Sequence, residues 1–473
     1  MTGAAVAASA LAVVAGCVPT AIWSGHSADR RHALEVVREA DHERVIVDGV
    51  RREAYDSVAA WSLETAGARV VYAARLGRDW IVVDPGRPRA RWDGIGALVL
   101  AGAHTAYAAE RGGRWQVVVD GVAGAPWPEL LAGSLRLSPD GAHAAYAARD
   151  RAGVHVVVDG AASPAYDGVA QLAFAPDAHI ASAAPGAQVA YVARDRAGVR
   201  VVVDGVAGPV FAEIGRVALA GATAVYPARD ADGWRVIAGG RALSPAYRAV
   251  RAIAARDGHV AWIAREQPAA AGSAGSPSAA GDLVACDGTV VGRAPAIDPD
   301  RLALIAGCDL AYVATGASGA RVVHGDRAAS YDAVGKLVVA GGRVAYAART
   351  GARWQIVVDG AARDAGAFAG DPVFSPDARR LAYVARAGRR WVAVVDDHAF
   401  PFDVVVEGTL AFSRDGRRWA VIGGDLAREQ LFFAVDGTRR VPLASAELYS
   451  AGERATAPDG ELLRAWAAAE ADK

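Results

Sequence analysis

Short apolar runs separated by polar turns recur along almost the whole chain, and the runs repeat one another. "AYAARDRAGVHVVVDG" (145–160) returns as "AYVARDRAGVRVVVDG" (190–205), with relatives in "AYAAERGGRWQVVVDG" (106–121), "AYAARTGARWQIVVDG" (345–360) and "AYVARAGRRWVAVVDD" (382–397). One unit has room for four short strands. The first ends in "SPDG" or a variant, as in "LRLSPDG" (135–141), "AFAPDA" (173–178), "VFSPDA" (373–378) and "AFSRDG" (411–416). The second is the "AYAAR" run, and the third is the Val-rich "WQVVVDG" run, as expected of a half-buried or buried strand. The fourth carries an aromatic followed by Asp: "AYDSV" (54–58), "AYDGV" (165–169), "SYDAV" (330–334), "PFDVV" (401–405). Asp-Gly between apolar runs predicts a tight type I′ hairpin turn, whose two central residues need positive φ.

The turn Asp, or the residue in its place, falls at Asp48, Asp84, Asp120, Asp159, Asp204, Gly239, Asp287, His324, Asp359, Asp396 and Asp436, mostly 35 to 40 residues apart. Four-stranded antiparallel units of that length, set side by side, predict an all-β chain folded as a β-propeller. Propellers commonly have about 4–8 blades, so about eleven units predict two rings. The expected boundaries are propeller repeats at 33–250 and at 251–473. The alternative is one large closed ring: "ALEVVRE" (33–39) reads as a second strand, and "RATAPDG" (454–460), followed by "ELLRAWAAAE" (461–470), could supply its first. The insert "QPAAAGSAGSPSAAGD" (267–282) falls between a second and a third strand, so it reads as a loop rather than a linker. "FSPDARRLAYVA" (374–385) followed by "WVAVVDD" (391–397) resembles the TolB-type, WD-repeat-like propeller motif of bacterial envelope proteins, over nearly the whole chain from about His32. The sequence departs from that family's pattern in showing no stretch that reads as its additional N-terminal domain, and from eukaryotic WD repeats in lacking their recurrent Gly-His and Trp-Asp pairs. The resemblance therefore implies fold more than function.

The apolar start of the chain ends in Val14-Ala15-Gly16-Cys17 and is too short to span a bilayer. It resembles a bacterial lipoprotein signal, although no Lys or Arg precedes it. The resemblance implies a signal peptide at 1–16, lipidation of Cys17, a linker at 17–32 and a lipid-anchored place in the cell envelope, periplasmic or at the outer surface. Cys286 and Cys308 then remain, as one disulfide or as two small buried side chains on neighbouring strands. With no C-x-x-C and no His pair nearby, no metal site is expected there.

Of 473 residues 53% are hydrophobic, which suits a folded chain, and the formal net charge of −1 gives no global field for nucleic acid. The sequence holds no nucleophile elbow, P-loop, dinucleotide fingerprint or complete H-E-x-x-H, and no cofactor is implied. A catalytic pair assembled from the loops of several blades would leave no local motif, so an envelope enzyme acting on a sugar or other polymer through the propeller funnel stays as the alternative to a non-catalytic binding scaffold. Five Trp open third strands, Trp80, Trp115, Trp234, Trp354 and Trp391; packing between blades is the favoured reading over a stacking platform.

Charge is unevenly placed. First-to-second and third-to-fourth turns share one end of a blade and carry the recurrent Asp. Arg closes the second strand at the other end, at Arg38, Arg75, Arg149, Arg194, Arg229, Arg265, Arg349 and Arg386. Further Arg in the same turns, Arg78, Arg114, Arg196, Arg353, Arg389 and Arg390, form the candidate binding face, suited to an envelope protein or an anionic envelope polymer. The competing reading pairs the recurrent Arg with Asp56, Asp93, Asp167, Asp332 and Asp403 in a ladder between blades.

Overall fold

The structure is a computed structural model that describes residues 20–26 and 33–442, apart from 68, 176–187, 221–222, 268–280, 317–318, 389, 414, 428–429 and 438. Among the described residues there is no helix. Ten antiparallel sheets follow one another, each strand lying beside its neighbour in sequence. One of them spans 333–402 and consists of two four-stranded units joined by a single parallel bridge, Gly366 to Arg386. The 57–83 sheet has three strands, because Pro85 stands where other turns have Gly. Its outer edge is reduced to a bridge between Trp80 and Trp92. The chain is a β-propeller protein built from four-stranded antiparallel blades, as the repeat predicts.

Two details differ from the sequence pattern. Thr20–His26, expected within a linker, forms the first strand of the first sheet and pairs with Ala33–Glu39. Polar Thr20, Ser24, Gly25 and His26 hide its alternation, yet Trp23 packs against the core that holds Val36 and Val45. That sheet is therefore complete without a strand from 454–470, residues that lie outside the described ones. Second, the aromatic of "AYD" closes a fourth strand, whereas its Asp opens the next sheet: the N–H of Asp93 donates to the carbonyl of Glu110.

Second strands of the inner sheets are buried on both faces, because each of these sheets packs against the one before and the one after it. Ala106 and Ala109, Ala145 and Ala148, and Ala345 and Ala348 are fully covered, and the Tyr between them is buried as well. The small Ala side chains let consecutive sheets approach, which accounts for much of the Ala in the composition. Each larger core cluster straddles two consecutive sheets, from the one around Val36 and Tyr72 to the one around Val384 and Phe432. An aromatic ring marks these joints. Tyr55 meets Tyr72 at 6.2 Å, Tyr166 meets Tyr191 at 6.0 Å, Phe211 meets Tyr226 at 6.3 Å and Tyr331 meets Tyr346 at 5.9 Å, all edge to face. Such pairs add about 0.5–1.5 kcal/mol each beyond the area they bury.

The Asp-Gly turns hold the sheets at one end. Asp120, Asp159, Asp204, Asp359 and Asp396 all have φ near +50°; the first four are followed by a Gly of positive φ, and Asp396 by Asp397, also at positive φ. Each carboxylate also accepts the N–H that starts the second strand of its own sheet, for instance Thr105 to Asp120 and Val344 to Asp359, both at 2.9 Å. In four of them the other oxygen takes a basic side chain: His104 at 2.7 Å on Asp120, His143 at 2.6 Å on Asp159, Arg343 at 2.9 Å on Asp359 and Arg380 at 2.6 Å on Asp396. Where that residue is Arg, its far nitrogen continues to the next four-stranded unit, from Arg343 to the carbonyl of Ala378 and from Arg380 to that of Gly416. These rungs tie turn to turn across the joints.

Two measurements follow from this packing. Trp262→Ala, at a site with no exposure, should lower unfolding stability by about 3–5 kcal/mol, whereas Trp61→Ala, at 62% exposure, should change it by under about 0.5 kcal/mol in chemical denaturation. Partial burial opposes ionisation of Asp120, but the Thr105 N–H, His104 and Arg87 outweigh it and hold the carboxyl below its ordinary range. A group depressed in the folded state adds stability at neutral pH that is lost as pH falls through its unfolded and then its folded value. Acid denaturation of Asp120→Asn should therefore depend less steeply on pH below about 4 than that of the parent chain.

Candidate functional site: the arginine-bearing ends of the sheets

The turns between second and third strands lie at the opposite end of each sheet from these rungs. Here, among the described residues, the ladder expected between Asp and Arg is not formed. Asp93 and Asp332 instead accept the N–H of Gly112 and Gly351, each at 2.6 Å, and Asp56 caps Gly77 in the same way. Asp403 accepts the N–H of Leu426 at 3.3 Å. The reason is local: each Asp opens a first strand directly beside the turn that needs an acceptor, and Gly in the positive-φ position exposes that N–H. For Asp167 the backbone N–H donates to Arg194 O at 2.8 Å.

The Arg that close the second strands divide into two groups. Arg38 pairs with Glu43 at 2.6 Å, Arg149 with Glu129 at 3.2 Å, Arg229 with Glu213 at 2.9 Å and Arg265 with Asp282 at 2.8 Å. Arg386 lies over the ring of Trp391 at 5.8 Å. Arg75, Arg194 and Arg349 are exposed, and among the described residues no carboxylate pairs with them. The turn arginines behave likewise. Arg78, Arg196 and Arg390 are exposed with no carboxylate partner among the described residues, and Arg114 reaches only the carbonyl of Pro126, at 3.1 Å. Arg353 differs, being paired with Asp364, and Arg389 lies outside the described residues, as does Cys17.

Several carboxylates at this end are already occupied. Asp79 holds Arg91 at 2.9 Å, Asp195 holds Arg200 at 2.6 Å and Asp230 holds Arg235 at 2.8 Å. Arg235, followed by the N–H of Asp232, keeps the Asp230 carboxyl below its usual range. The Arg left over therefore have no carboxylate partner among the described residues.

Two other features were open in the sequence. Cys286 and Cys308 are joined as a disulfide with Cα atoms 5.8 Å apart, linking the Asp287 turn of one sheet to the first turn of the next. His259 and Cys308 both approach Asp287, at 2.7 and 3.3 Å. That trio has the residue types of a cation site, but the His–Asp contact repeats the His104–Asp120 and His143–Asp159 rungs, and the sulfur is committed to Cys286. The five strand-opening Trp are half-buried. Trp80, Trp115 and Trp234 each bridge the aromatic that closes the fourth strand, and Trp354 and Trp391 pack against the cores between sheets.

The sequence reading missed a cleft of about 580 Å³ between the two units of the 333–402 sheet, bordered by Gly366 and Tyr383. Its signal was present as a gap in the column of fourth-strand aromatics.

If Asp332 acts as a turn cap, Asp332→Ala should cost about 1–2 kcal/mol in denaturation, while Arg349→Ala should leave stability within about 0.5 kcal/mol. Equal losses from both would restore the ion-pair ladder.

The chain matches no protein-family model and no curated protein. Among solved structures it is similar to apo AztD from Citrobacter koseri, at 13% identity and a TM-score of 0.26, covering 70% of this chain and 91% of that one. The β-propeller domain of the Trilobed protease from Pyrococcus furiosus matches at 10% identity and a TM-score of 0.22, covering 74% and 95%. Dihydro-heme d1 dehydrogenase NirN matches at 16% identity and a TM-score of 0.26, covering 76% and 75%. None of these likenesses bears on what this chain binds.

Proposed function

We propose that the chain is a non-catalytic propeller of the bacterial cell envelope, lipid-anchored through Cys17, that holds an anionic partner at its arginine-bearing ends. The observation that carries this reading is the difference between the two ends of the sheets. At one end His104, His143, Arg343 and Arg380 are each spent on a turn Asp. At the other, Arg75, Arg78, Arg194, Arg196, Arg349 and Arg390 have no carboxylate partner among the described residues.

The anchor supports the same orientation. Thr20 lies opposite Arg38, so the first strand begins at the arginine-bearing end, with only Val18 and Pro19 between it and Cys17. A lipid on Cys17 would bring that end of the first sheet to the membrane surface, where acidic headgroups are the nearest anions. Each Arg held near such a surface is worth about 1 kcal/mol. The disulfide between Cys286 and Cys308 suits an oxidising compartment outside the cytoplasm.

The test uses the full chain with Cys17→Ala, sedimented with phosphatidylcholine vesicles with and without phosphatidylglycerol. Binding is expected only to the anionic vesicles, weakening as salt rises. Changing Arg78, Arg194, Arg196 and Arg390 together to Ala should weaken it by roughly 10²–10³-fold. Equal binding to both vesicle types, or binding indifferent to the four substitutions, would overturn the proposal.

A further inference from the structure

Where a fourth strand closes, one residue faces the position that opens the third strand of the same sheet. That residue is Tyr55, Trp92, Trp127, Tyr166, Phe211, Tyr247, Tyr331 or Phe402 in eight cases. At four of these joints its ring meets the Tyr of the next second strand, as Tyr331 meets Tyr346. Two positions break the column, Ala294 opposite Asp282 and Gly366 opposite Trp354.

The two gaps are filled differently. At Ala294 the strand itself closes in, and a Cβ built on Gly292 would collide with the hydroxyl of Tyr312. At Gly366 the joint stays open. Phe368, two residues on, has turned away and lies between Trp354 and Trp391, at 6.3 and 5.2 Å. What remains is the cleft of about 580 Å³, walled by Tyr383, Ala385, Val392 and Val394 on one side and by Ala365 and Gly366 on the other. Its volume lies within the range typical of small-molecule sites, about 300–1,000 Å³. The Arg353–Asp364 ion pair sits at its border and offers both a cation and an anion to a polar substituent.

We infer that the cleft between the two units of the 333–402 sheet binds a small planar aromatic compound, whose ring takes the place held at other joints by a side-chain ring. The molecule supplies its own template. At four joints the space beside the second-strand Tyr holds an aromatic ring edge to face, so the Tyr383 wall is shaped for a flat ring with apolar Ala and Val around it. This site is independent of the arginine-bearing ends, and the failure of either reading leaves the other standing.

Calorimetric titration of the full chain with naphthol and with its saturated counterpart decahydronaphthol separates ring shape from apolar volume. The planar compound should bind at least about fivefold more tightly, the size of an edge-to-face ring contact. Ala399→Trp, which projects a ring into the cleft from an exposed position on its border, should abolish that binding while the thermal midpoint of unfolding stays near that of the parent. Gly366 has φ of +83°, so a ring placed there would strain the backbone, and Val392→Phe serves as the second blocking variant. Equal affinity for the two compounds, no binding of naphthol, or naphthol binding unaffected in both folded variants would overturn the inference.

Discussion

A sheet that is apolar on both faces has to lie between two other sheets, and that single constraint organises this chain. Burying a side chain such as Tyr146 stabilises by about 1.5–3 kcal/mol, but only when the neighbouring sheet is present to cover it. No unit can complete its own core, so the sequence must repeat. The same need explains why Ala dominates the second strands. Larger residues would hold the sheets apart, and smaller ones would leave the Tyr and its partner ring without contact.

Hydrophobic stacking sets distance but not rotation, and the polar groups supply the rest. The turn carboxylates are used twice, once on a backbone N–H of their own sheet and once on a His or Arg that in several cases continues to the next turn. At the opposite end the capping Asp bind backbone N–H groups, and only some Arg find a Glu. The chain therefore spends His104, His143, Arg343 and Arg380 on turn Asp at one end, whereas Arg75, Arg194 and Arg349 at the other have no carboxylate partner among the described residues, although the net charge is only −1. A nearly neutral composition is thus compatible with an uneven local distribution of charge, on which the proposal of an anionic partner rests. The joint at Gly366 is a second departure from repetition. There, as at Ala294, the ring found at the other described joints is missing, and at Gly366 apolar space is left behind.

Much of this was legible in the sequence. The strand order, the type I′ turns and the segregation of Asp and Arg all follow from "SPDG", "AYAAR" and "VVVDG", because a repeated unit shows its own turn chemistry several times over. The pairing of Asp with Arg was misjudged, since Asp93 and Asp332 look like ladder partners until the first strand is seen to start at them. The rungs at the other end were missed, although their spacing is regular: His104 to Asp120, His143 to Asp159, Arg343 to Asp359 and Arg380 to Asp396 are each 16 residues apart. Thr20–His26 could not be recognised, because an inner strand that packs through one Trp carries little alternation. The cleft was invisible for another reason. A gap matters only once the column of rings is known to sit between sheets.

The central claim, that anions gather at the arginine-bearing ends, is tested most directly by hydrogen exchange of the full-length chain with and without anionic vesicles. The account predicts that amides of the second-to-third turns, such as those of Gly77, Gly112, Ala197 and Gly351, exchange more slowly on the vesicles, while those of the Asp-Gly turns are unchanged. Protection of the Asp-Gly turns instead, or of neither set, would contradict it.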